Sequence, residues 1–155
     1  FDAINIGKDL NECKVYTTNT PARLRMTTLY GIAAAVNGRV VNTCNLSEDY
    51  VGYSTKWGDA TGDFSPLAKL TKTEVVALGD YLGISEKWTH KTPSDGMCGK
   101  TDEDNLGFTY ETLDAYIRDG LPPKSLETKM NIDRMHNHPN TAKKLVVFDV
   151  FDPEK

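Results

Sequence analysis

The stretch NTCNLSEDYVGYSTKWGDATGDFSP, from Asn42 to Pro66, begins at the last residue of a short strand-like run, Arg39–Asn42, and differs from that run in composition. Small, polar and acidic residues replace apolar ones, and a loop is expected over Gly58–Gly62. Strand and helix patterns alternate along the chain, which predicts an α/β fold with a parallel sheet flanked by helices. Ligands bind such sheets beyond the carboxyl ends of the strands, so the position of this stretch favours a binding role.

The helix upstream of this stretch is expected to begin at Asn19, Thr20 and Pro21, because a polar cap precedes a proline at the first helical position. Apolar residues then recur at helical spacing as far as Val36. The opposite side of the helix is also small or apolar, so we expect burial on two sides. A sheet could cover one side, and a second helix, including one from another subunit, could cover the other.

Polar caps predict further helices downstream of the stretch. Ser47 is expected to cap a helix that runs from Glu48 towards Lys56. Thr71 and Glu74 match the capping-box pattern, in which each side chain satisfies a free backbone donor of the other residue. Other helix starts are predicted at Ser85, Asp102–Asp104, Thr109 and Ser125, a loop at 90–101, and strands at Ala3–Ile6 and in the tail from Lys143 onward.

The composition sets the broad class of the protein. The sequence has 155 residues, 39% of them hydrophobic, and a net charge of −4. These values predict a globular chain that is long enough for one ordinary domain. No basic excess points to nucleic acid, and no apolar run approaches the ~18 residues of a membrane helix. Three widely spaced cysteines argue against disulfides and zinc and favour reduced thiols in the cytoplasm.

Several residues around the stretch are suited to binding nucleotides. Glu48 could offer a hard oxygen to Mg²⁺, and Lys56 and Lys72 could neutralise phosphate charge. The other candidates are Thr43, as a hydrogen-bond donor to ribose or phosphate, and Asp59 and Asp63, which flank glycines that permit close approach of a ligand. Each acid could equally form a cap or a turn, and each lysine could be a solvated surface residue.

Three ordered blocks make a family resemblance specific. NLSEDYVGYSTKWGDATGDFSPLAKLTKTEV resembles the central signature of NAD synthetases, PARLRMTTLYG their arginine-bearing helix, and KTPSDGMCGKTDEDNLGFTYETLDAYI their late loop and following helix. The similarity extends from about Thr20 to Gly120 and is greatest to the ammonia-dependent branch. The glutamine-dependent branch would need an additional amidase domain, which these residues do not contain.

The resemblance implies a fold, a reaction and partners. The fold would be a Rossmann-like parallel sheet of the adenine nucleotide alpha hydrolase type, here incomplete. Residues 1–155 would be the carboxy-terminal part of a single synthetase domain, with about 1–120 as its core and 121–155 as a terminal helix and tail. The reaction would be ATP-dependent amidation of deamido-NAD to NAD through an acyl-adenylate, with ammonia as nitrogen donor and Mg²⁺ as cofactor. Members of the family are homodimers whose dinucleotide site lies near the subunit interface.

The resemblance also implies roles for individual residues. Thr43, Lys72 and Ser94 would bind ATP, and Glu48 would ligate Mg²⁺. Arg23, Lys56 and Asp63 would bind deamido-NAD, with Asp59 a weaker candidate for the same pocket. The start of the helix at Lys72 is expected to add free N–H groups and a helix dipole that favour an anion.

Two departures from the family pattern leave alternatives open. The phosphate-binding loop of the family, a Ser-Gly-Gly-x-Asp-Ser motif, is missing from these residues and is expected in an amino-terminal half, so this chain would be inactive alone. The closing basic pair of the family has only Lys143 or Lys144 as counterparts, and neither is assigned. The alternatives are a non-catalytic nucleotide-binding or dimerisation fragment, the synthetase part of a glutamine-dependent enzyme, or a related adenylating amidotransferase, which the STKWGD block disfavours.

Overall fold

The computed structural model describes residues 12–94 and 99–138. Within them the helices are α1 Lys14–Ala35, α2 Leu46–Val51, α3 Lys72–Tyr81, α4 Glu86–Thr89, α5 Asp102–Leu106, α6 Tyr110–Asp119 and α7 Leu126–His136. The predicted strand at Ala3–Ile6, the tail from Lys143, and Lys144 lie outside the described residues. None of the described helices combines the length and apolarity needed to cross a bilayer.

Local capping decides where most of these helices begin. Thr71 and Glu74 form the predicted capping box at the start of α3, and the side chains of Thr109 and Ser125 cap α6 and α7 as expected. Thr101 caps α5, so the acidic residues that follow do initiate a helix. These helix starts are confirmed because each depends on contacts only three residues apart.

The predicted start of α1 is wrong. The helix begins at Lys14, with Cys13 at the N-cap, and Pro21 lies inside it. A proline in a helix interior costs about 3 kcal/mol, so contacts elsewhere must compensate. Asn19 is not a cap; its Oδ1 instead accepts a hydrogen bond from Thr55 Oγ1 at 3.0 Å, and Ala22 is buried. The contact with Asn19 comes from the loop that follows α2 and could not be read from the local sequence.

The predicted start of α2 is also wrong. Asn45, not Ser47, caps the helix, and Asn45 and Glu48 form a second capping box. The helix then ends at Val51, because Gly52 adopts a left-handed conformation with φ of 70°. Ser47 is fully buried and uses its hydroxyl for a contact with Asp114.

The predicted sheet is represented by one parallel bridge between Val41 and Phe64. Its hydrogen bonds run from the Asn42 amide to the Phe64 carbonyl, 2.9 Å, and from the Asp63 amide to the Val40 carbonyl, 2.8 Å. The described residues contain no longer strand ladder, so the parallel direction agrees with the prediction while the sheet itself is not established. The partner strands in a parallel sheet come from segments that are distant in sequence. A single bridge is therefore not enough to establish a sheet.

The core lies among α2, α5, α6 and α7. Its fully or nearly fully buried members are Val51, Leu106, Phe108, Tyr110, Leu113 and Ile132. Tyr116 and Ile117 pack against them, so this face of α6 is directed towards the core. By contrast, α1 leaves Leu24, Leu29 and Ile32 more than half exposed. The expected burial of α1 on two sides is therefore not met among the described residues.

Candidate functional site

The first cluster of candidate residues begins at Glu48, on the first turn of α2. Its Oε2 accepts a hydrogen bond from the Asn45 amide at 3.1 Å, while the Glu48 amide donates to Asn45 Oδ1 at 3.0 Å. Burial raises the pKa of Glu48, the hydrogen bond from Asn45 and the charge of Lys72 oppose that rise, and the charge of Asp102 adds to it. Glu48 therefore lies within electrostatic reach of both Lys72 and Asp102.

The start of α3 is already satisfied by the protein. The Lys72 amide donates to Ser47 Oγ at 2.9 Å, the Thr73 amide to Asp114 Oδ2 at 2.8 Å, and the Glu74 amide to Thr71 Oγ1 at 3.4 Å. The expectation that free N–H groups here favour an anion is therefore wrong, since the buried Asp114 carboxylate occupies that position. Lys72 can act on a ligand only through its side-chain ammonium.

The ammonium of Lys72 is held beside an aromatic ring. Lys72 Nζ lies 5.7 Å from the centre of the Tyr110 ring, a distance at which a cation is attracted to the ring face. The hydroxyl of Tyr110 donates to Asp102 Oδ2 at 3.4 Å, and that of Tyr53 donates to Asp102 Oδ1 at 3.3 Å. Burial, followed by the charges of Glu48 and Asp102, raises the pKa of Tyr110, so it remains a hydrogen-bond donor.

Sequence reasoning assigned Asp102 only to helix initiation. It does stand in the first turn of α5, but it is also buried and joins two tyrosine side chains. An acid directly after a threonine cap has a sufficient local explanation, so the sequence carried no separate signal for this second role.

Lys72 and Tyr110 line a cleft of about 310 Å³. Lys91 and Pro93, from the loop predicted at 90–101, also line it, as do Glu103 and Glu111. Ser94, the residue after Pro93, is exposed and donates from Oγ to the Lys100 carbonyl at 3.1 Å. The structure thus brings Lys72 and the start of the Ser94 loop to one cleft, whose lining contains two lysines and two glutamates.

A second cluster surrounds the turn that carries Lys56. Arg23 on α1 donates from Nε to the Lys56 carbonyl at 3.1 Å, and Asp59 Oδ1 accepts the Thr55 amide at 2.8 Å. Arg23 and Asp59 therefore hold the backbone of the turn, while the Lys56 side chain is exposed. This explains why an arginine and an aspartate accompany the lysine, without requiring either to contact a ligand.

Asp63 attaches the end of this turn to the rest of the chain. Its Oδ2 accepts the Val40 amide at 2.7 Å and its Oδ1 accepts the Tyr30 hydroxyl at 3.4 Å. Burial, then the charge of Asp63, raises the pKa of Tyr30 and keeps its hydroxyl protonated. The side chain of Asp63 remains exposed enough to meet a ligand as well, since each carboxylate oxygen can accept more than one hydrogen bond.

Cys44 lies between the two clusters. Its amide donates to Asn42 Oδ1 at 2.7 Å and its Sγ to the Asp59 carbonyl at 3.5 Å. Burial, followed by the charges of Glu48, Asp49 and Asp59, raises the pKa of the thiol to about 12. Cys44 is thus a protonated, structural thiol, and its neighbour Thr43 is exposed. Because the charges of Glu48 and Asp59 both raise the pKa of the Cys44 thiol, the two clusters lie on either side of a single short segment.

The described residues provide only part of a metal site. No group of three or more His, Cys, Asp or Glu side chains within residues 12–94 and 99–138 is arranged to hold an ion. Glu48 has one oxygen in its capping box, and a carboxylate has two, so it can still offer a single hard oxygen to Mg²⁺. The remaining ligands would have to come from ATP, water or other parts of the protein.

The comparisons with known proteins agree on one family. The family model for NAD synthase matches residues 4–148. The NH(3)-dependent NAD(+) synthetase of Alkaliphilus metalliredigens is 43% identical over 129 residues, 83% of this chain and 51% of that protein. That of Carboxydothermus hydrogenoformans is 48% identical over 108 residues, 69% of this chain and 44% of that protein. The chain spans about half the length of these curated relatives.

A solved structure supports the same assignment. The NMN synthetase from Francisella tularensis is 39% identical and superposes with a TM-score of 0.75, over 86% of this chain and 56% of that one.

Proposed function

Because the chain belongs to the NAD synthase family, we propose that it supplies the substrate-binding part of an enzyme that amidates deamido-NAD to NAD with ATP and ammonia. Residues 1–155 would belong to one synthetase domain, with about 1–120 in its core and 121–155 as a terminal helix and tail. The parallel bridge between Val41 and Phe64 supports a Rossmann-like sheet of the adenine nucleotide alpha hydrolase type. Exposed apolar residues on α1 support a homodimer, and a cytoplasmic location follows from the class of enzyme.

One observation carries the proposal. Two capping boxes, at Asn45–Glu48 and at Thr71–Glu74, fix the starts of α2 and α3 so that Glu48 and Lys72 lie within electrostatic reach of each other. Lys72 lines the cleft, and a carboxylate within electrostatic reach of its ammonium suits ATP and its magnesium ion.

The proposed chemistry has two steps. The nicotinate carboxylate of deamido-NAD attacks the α-phosphate of ATP, its bond to that phosphorus forms, and pyrophosphate leaves. Ammonia then attacks the acyl carbon, AMP leaves, and the amide remains after loss of a proton. Lys72 would place its charge beside the phosphates and stabilise the leaving pyrophosphate. Mg²⁺ bound at Glu48 would supply further charge neutralisation.

The turn around Lys56 would bind the second substrate. Lys56 offers an exposed ammonium, and Asp63 an exposed carboxylate, at two ends of a turn fixed by Arg23 and Asp59. We assign Lys56 and Asp63 to deamido-NAD, and Arg23 to the same substrate chiefly through its hold on Lys56. Thr43 and Ser94, both exposed, would complete the ATP site from either side of Glu48 and Lys72.

A second candidate substrate is the mononucleotide of nicotinate. The solved structure with 39% identity is that of an NMN synthetase, and its TM-score is 0.75. Amidation of the mononucleotide is the same reaction on the same carboxylate, so the ATP site would serve both. Only the adenylate half of the dinucleotide distinguishes the two substrates.

The proposal is tested by formation of the amide product. The chain is mixed with ATP, Mg²⁺, ammonia and either deamido-NAD or nicotinate mononucleotide, alone and together with the separately produced amino-terminal half of the Alkaliphilus relative. We expect AMP and NAD to form in equal amounts from deamido-NAD when both halves are present, and Glu48→Gln, which can retain its cap, to reduce the rate at least tenfold. Preference for the mononucleotide would favour the second candidate. Nucleotide binding with no product from either substrate would favour a non-catalytic fragment.

A further inference from the structure

Trp57 has an unusual backbone conformation. Its φ is +64°, and among the described residues only Asn37, at φ of 52°, is another non-glycine residue with positive φ. Asparagine enters the left-handed region readily, whereas a bulky residue there is a genuine outlier. Such conformations persist only where surrounding contacts impose them, and they are concentrated at binding and active sites.

The contacts that impose this conformation come from both sides of Trp57. On one side, Arg23 Nε donates to the Lys56 carbonyl at 3.1 Å. On the other, the Gly58 amide donates to the Thr55 carbonyl at 2.9 Å, and a Cβ at Gly58 would lie 3.1 Å from Cβ of Ala22. The turn is thus packed directly against α1, and the direction of the Trp57 side chain is set before any ligand arrives.

The Trp57 side chain keeps an open surface within this chain. The residue is 50% exposed, so part of the indole remains available to a ligand. Lys56 Nζ lies 5.4 Å from the ring centre, which keeps an ammonium group next to the indole. Trp88, the second tryptophan of the sequence, is similarly exposed but lies within the ordinary helix α4, so exposure alone does not require such strain.

We propose that the Trp57 indole is a stacking surface for the planar heteroaromatic ring of the pyridine-nucleotide substrate, next to the Lys56 ammonium that binds its anionic groups. Indole faces stack on nucleotide bases without requiring a particular base. The ring could be the nicotinate or the adenine of the dinucleotide, and the two are distinguished by the probe that is bound. The identity of the nucleotide in this proposal rests on the proposed function. The geometry of the turn does not depend on it.

Two substitutions separate stacking from a structural role. Trp57→Gly removes the ring and suits the left-handed backbone, so its melting temperature should equal or exceed that of the wild type. Trp57→Tyr keeps an aromatic face. The affinities for deamido-NAD, nicotinate mononucleotide and AMP are measured by titration calorimetry. We expect Trp57→Gly to weaken binding of deamido-NAD about tenfold, equivalent to about 1.4 kcal/mol, and Trp57→Tyr to stay within about threefold of the wild type.

The same experiment identifies the ring and provides a matched control. Trp88→Phe leaves Trp57 as the only tryptophan, and its fluorescence should be quenched by whichever of nicotinate mononucleotide or AMP carries the stacked ring, with affinity unchanged. The proposal would be overturned if Trp57→Gly bound all three probes as tightly as the wild type does. It would also be overturned if that variant melted at a lower temperature than the wild type. If the wild type binds ATP but no pyridine nucleotide, stacking is overturned while the ATP site stands; if it binds neither, both the proposed function and the stacking surface fail.

Discussion

Ser47 on α2 donates a hydrogen bond to the buried carboxylate of Asp114 on α6, 67 positions away in the sequence. The same two side chains accept the amides of Lys72 and Thr73. One buried pair therefore joins three helices, and it fixes the backbone from which the Lys72 side chain extends.

Asp114→Ala should destabilise the chain strongly. The substitution leaves the buried Ser47 hydroxyl and the partly buried Thr73 amide without their acceptor, and an unsatisfied buried donor costs about 1–3 kcal/mol. We expect the free energy of unfolding, measured with urea, to fall by about 2–4 kcal/mol. Asp119→Ala, at an exposed position of the same helix, is the control and should change it by less than about 0.5 kcal/mol. Equal effects of the two substitutions would show that the pair does not join the helices.

Glu74→Gln should remove a defined part of the pH dependence of stability. Hydrogen bonds from Arg118 and from the Thr71 amide lower the pKa of Glu74 to about 2. A lowered pKa contributes stability that is present above the unfolded pKa, about 4.5, and is lost as the pH falls through about 2. Both side chains of the ion pair are about 40% exposed, so solvent screening limits the effect to about 1 kcal/mol or less.

This prediction is measured as urea unfolding of wild type and Glu74→Gln between pH 7 and pH 2. The two curves should differ at pH 7 and converge as the pH falls from 4.5 towards 2, because glutamine can keep the capping box but not the charge. Glu127→Gln, in the first turn of α7, should follow the wild type. If the free energy of unfolding of Glu74→Gln were lower than that of the wild type by the same amount at every pH in this range, the effect would not have an ionic origin.

Gly62→Ala should disrupt the bridge beside the candidate site. A Cβ at residue 62 would lie 2.4 Å from the Asn42 amide nitrogen, a backbone atom that cannot move aside easily. We expect a loss of at least about 2 kcal/mol, by analogy with overpacked cores. At Gly31 in α1 an added Cβ meets nothing within 4 Å, so Gly31→Ala should stabilise the helix by about 0.5–1 kcal/mol. Thermal unfolding of both variants tests the pair, and similar melting temperatures would be inconsistent with the close approach.

Arg23 and Lys56 should act on deamido-NAD as a coupled pair. Because Arg23 holds the Lys56 backbone, the loss of affinity in the double alanine variant should be smaller than the sum of the two single losses, by about 0.5–1.5 kcal/mol. Arg25→Ala, at a neighbouring exposed position, should be additive with Lys56→Ala. If calorimetric titrations showed additive losses of affinity for Arg23 with Lys56 as well as for Arg25 with Lys56, Arg23 would contact the substrate independently of Lys56.

The sequence predicted those parts of the fold that depend on neighbouring residues. The caps at Thr71, Thr109 and Ser125 all act on amides three positions ahead, so their patterns suffice. Asn19 and Ser47 carry equally good capping patterns, but Thr55 and Asp114 engage their side chains from distant parts of the chain. Tertiary contacts of this kind cannot be deduced from a local pattern.

The candidate site was predictable in part for the same reason. Glu48, Lys56 and Lys72 stand out because their chemistry matches a nucleotide and their order resembles one family. Asp102 and Trp57 do not stand out, since an acid after a cap and an aromatic residue before a glycine are common. Only the structure distinguishes them: Asp102 is buried and accepts hydrogen bonds from two tyrosines, and Trp57 has a positive φ.

Calorimetric titration of ATP with Mg²⁺ into the wild-type chain, Lys72→Ala and Lys124→Ala tests most directly whether Glu48 and Lys72 form a nucleotide site. Lys124 lies on the exposed segment between α6 and α7 and serves as a charge-matched control. We predict that Lys72→Ala weakens ATP binding about tenfold, the equivalent of about 1.4 kcal/mol, while Lys124→Ala binds as the wild type does. Equal affinities of all three proteins for ATP would contradict the assignment of this cleft.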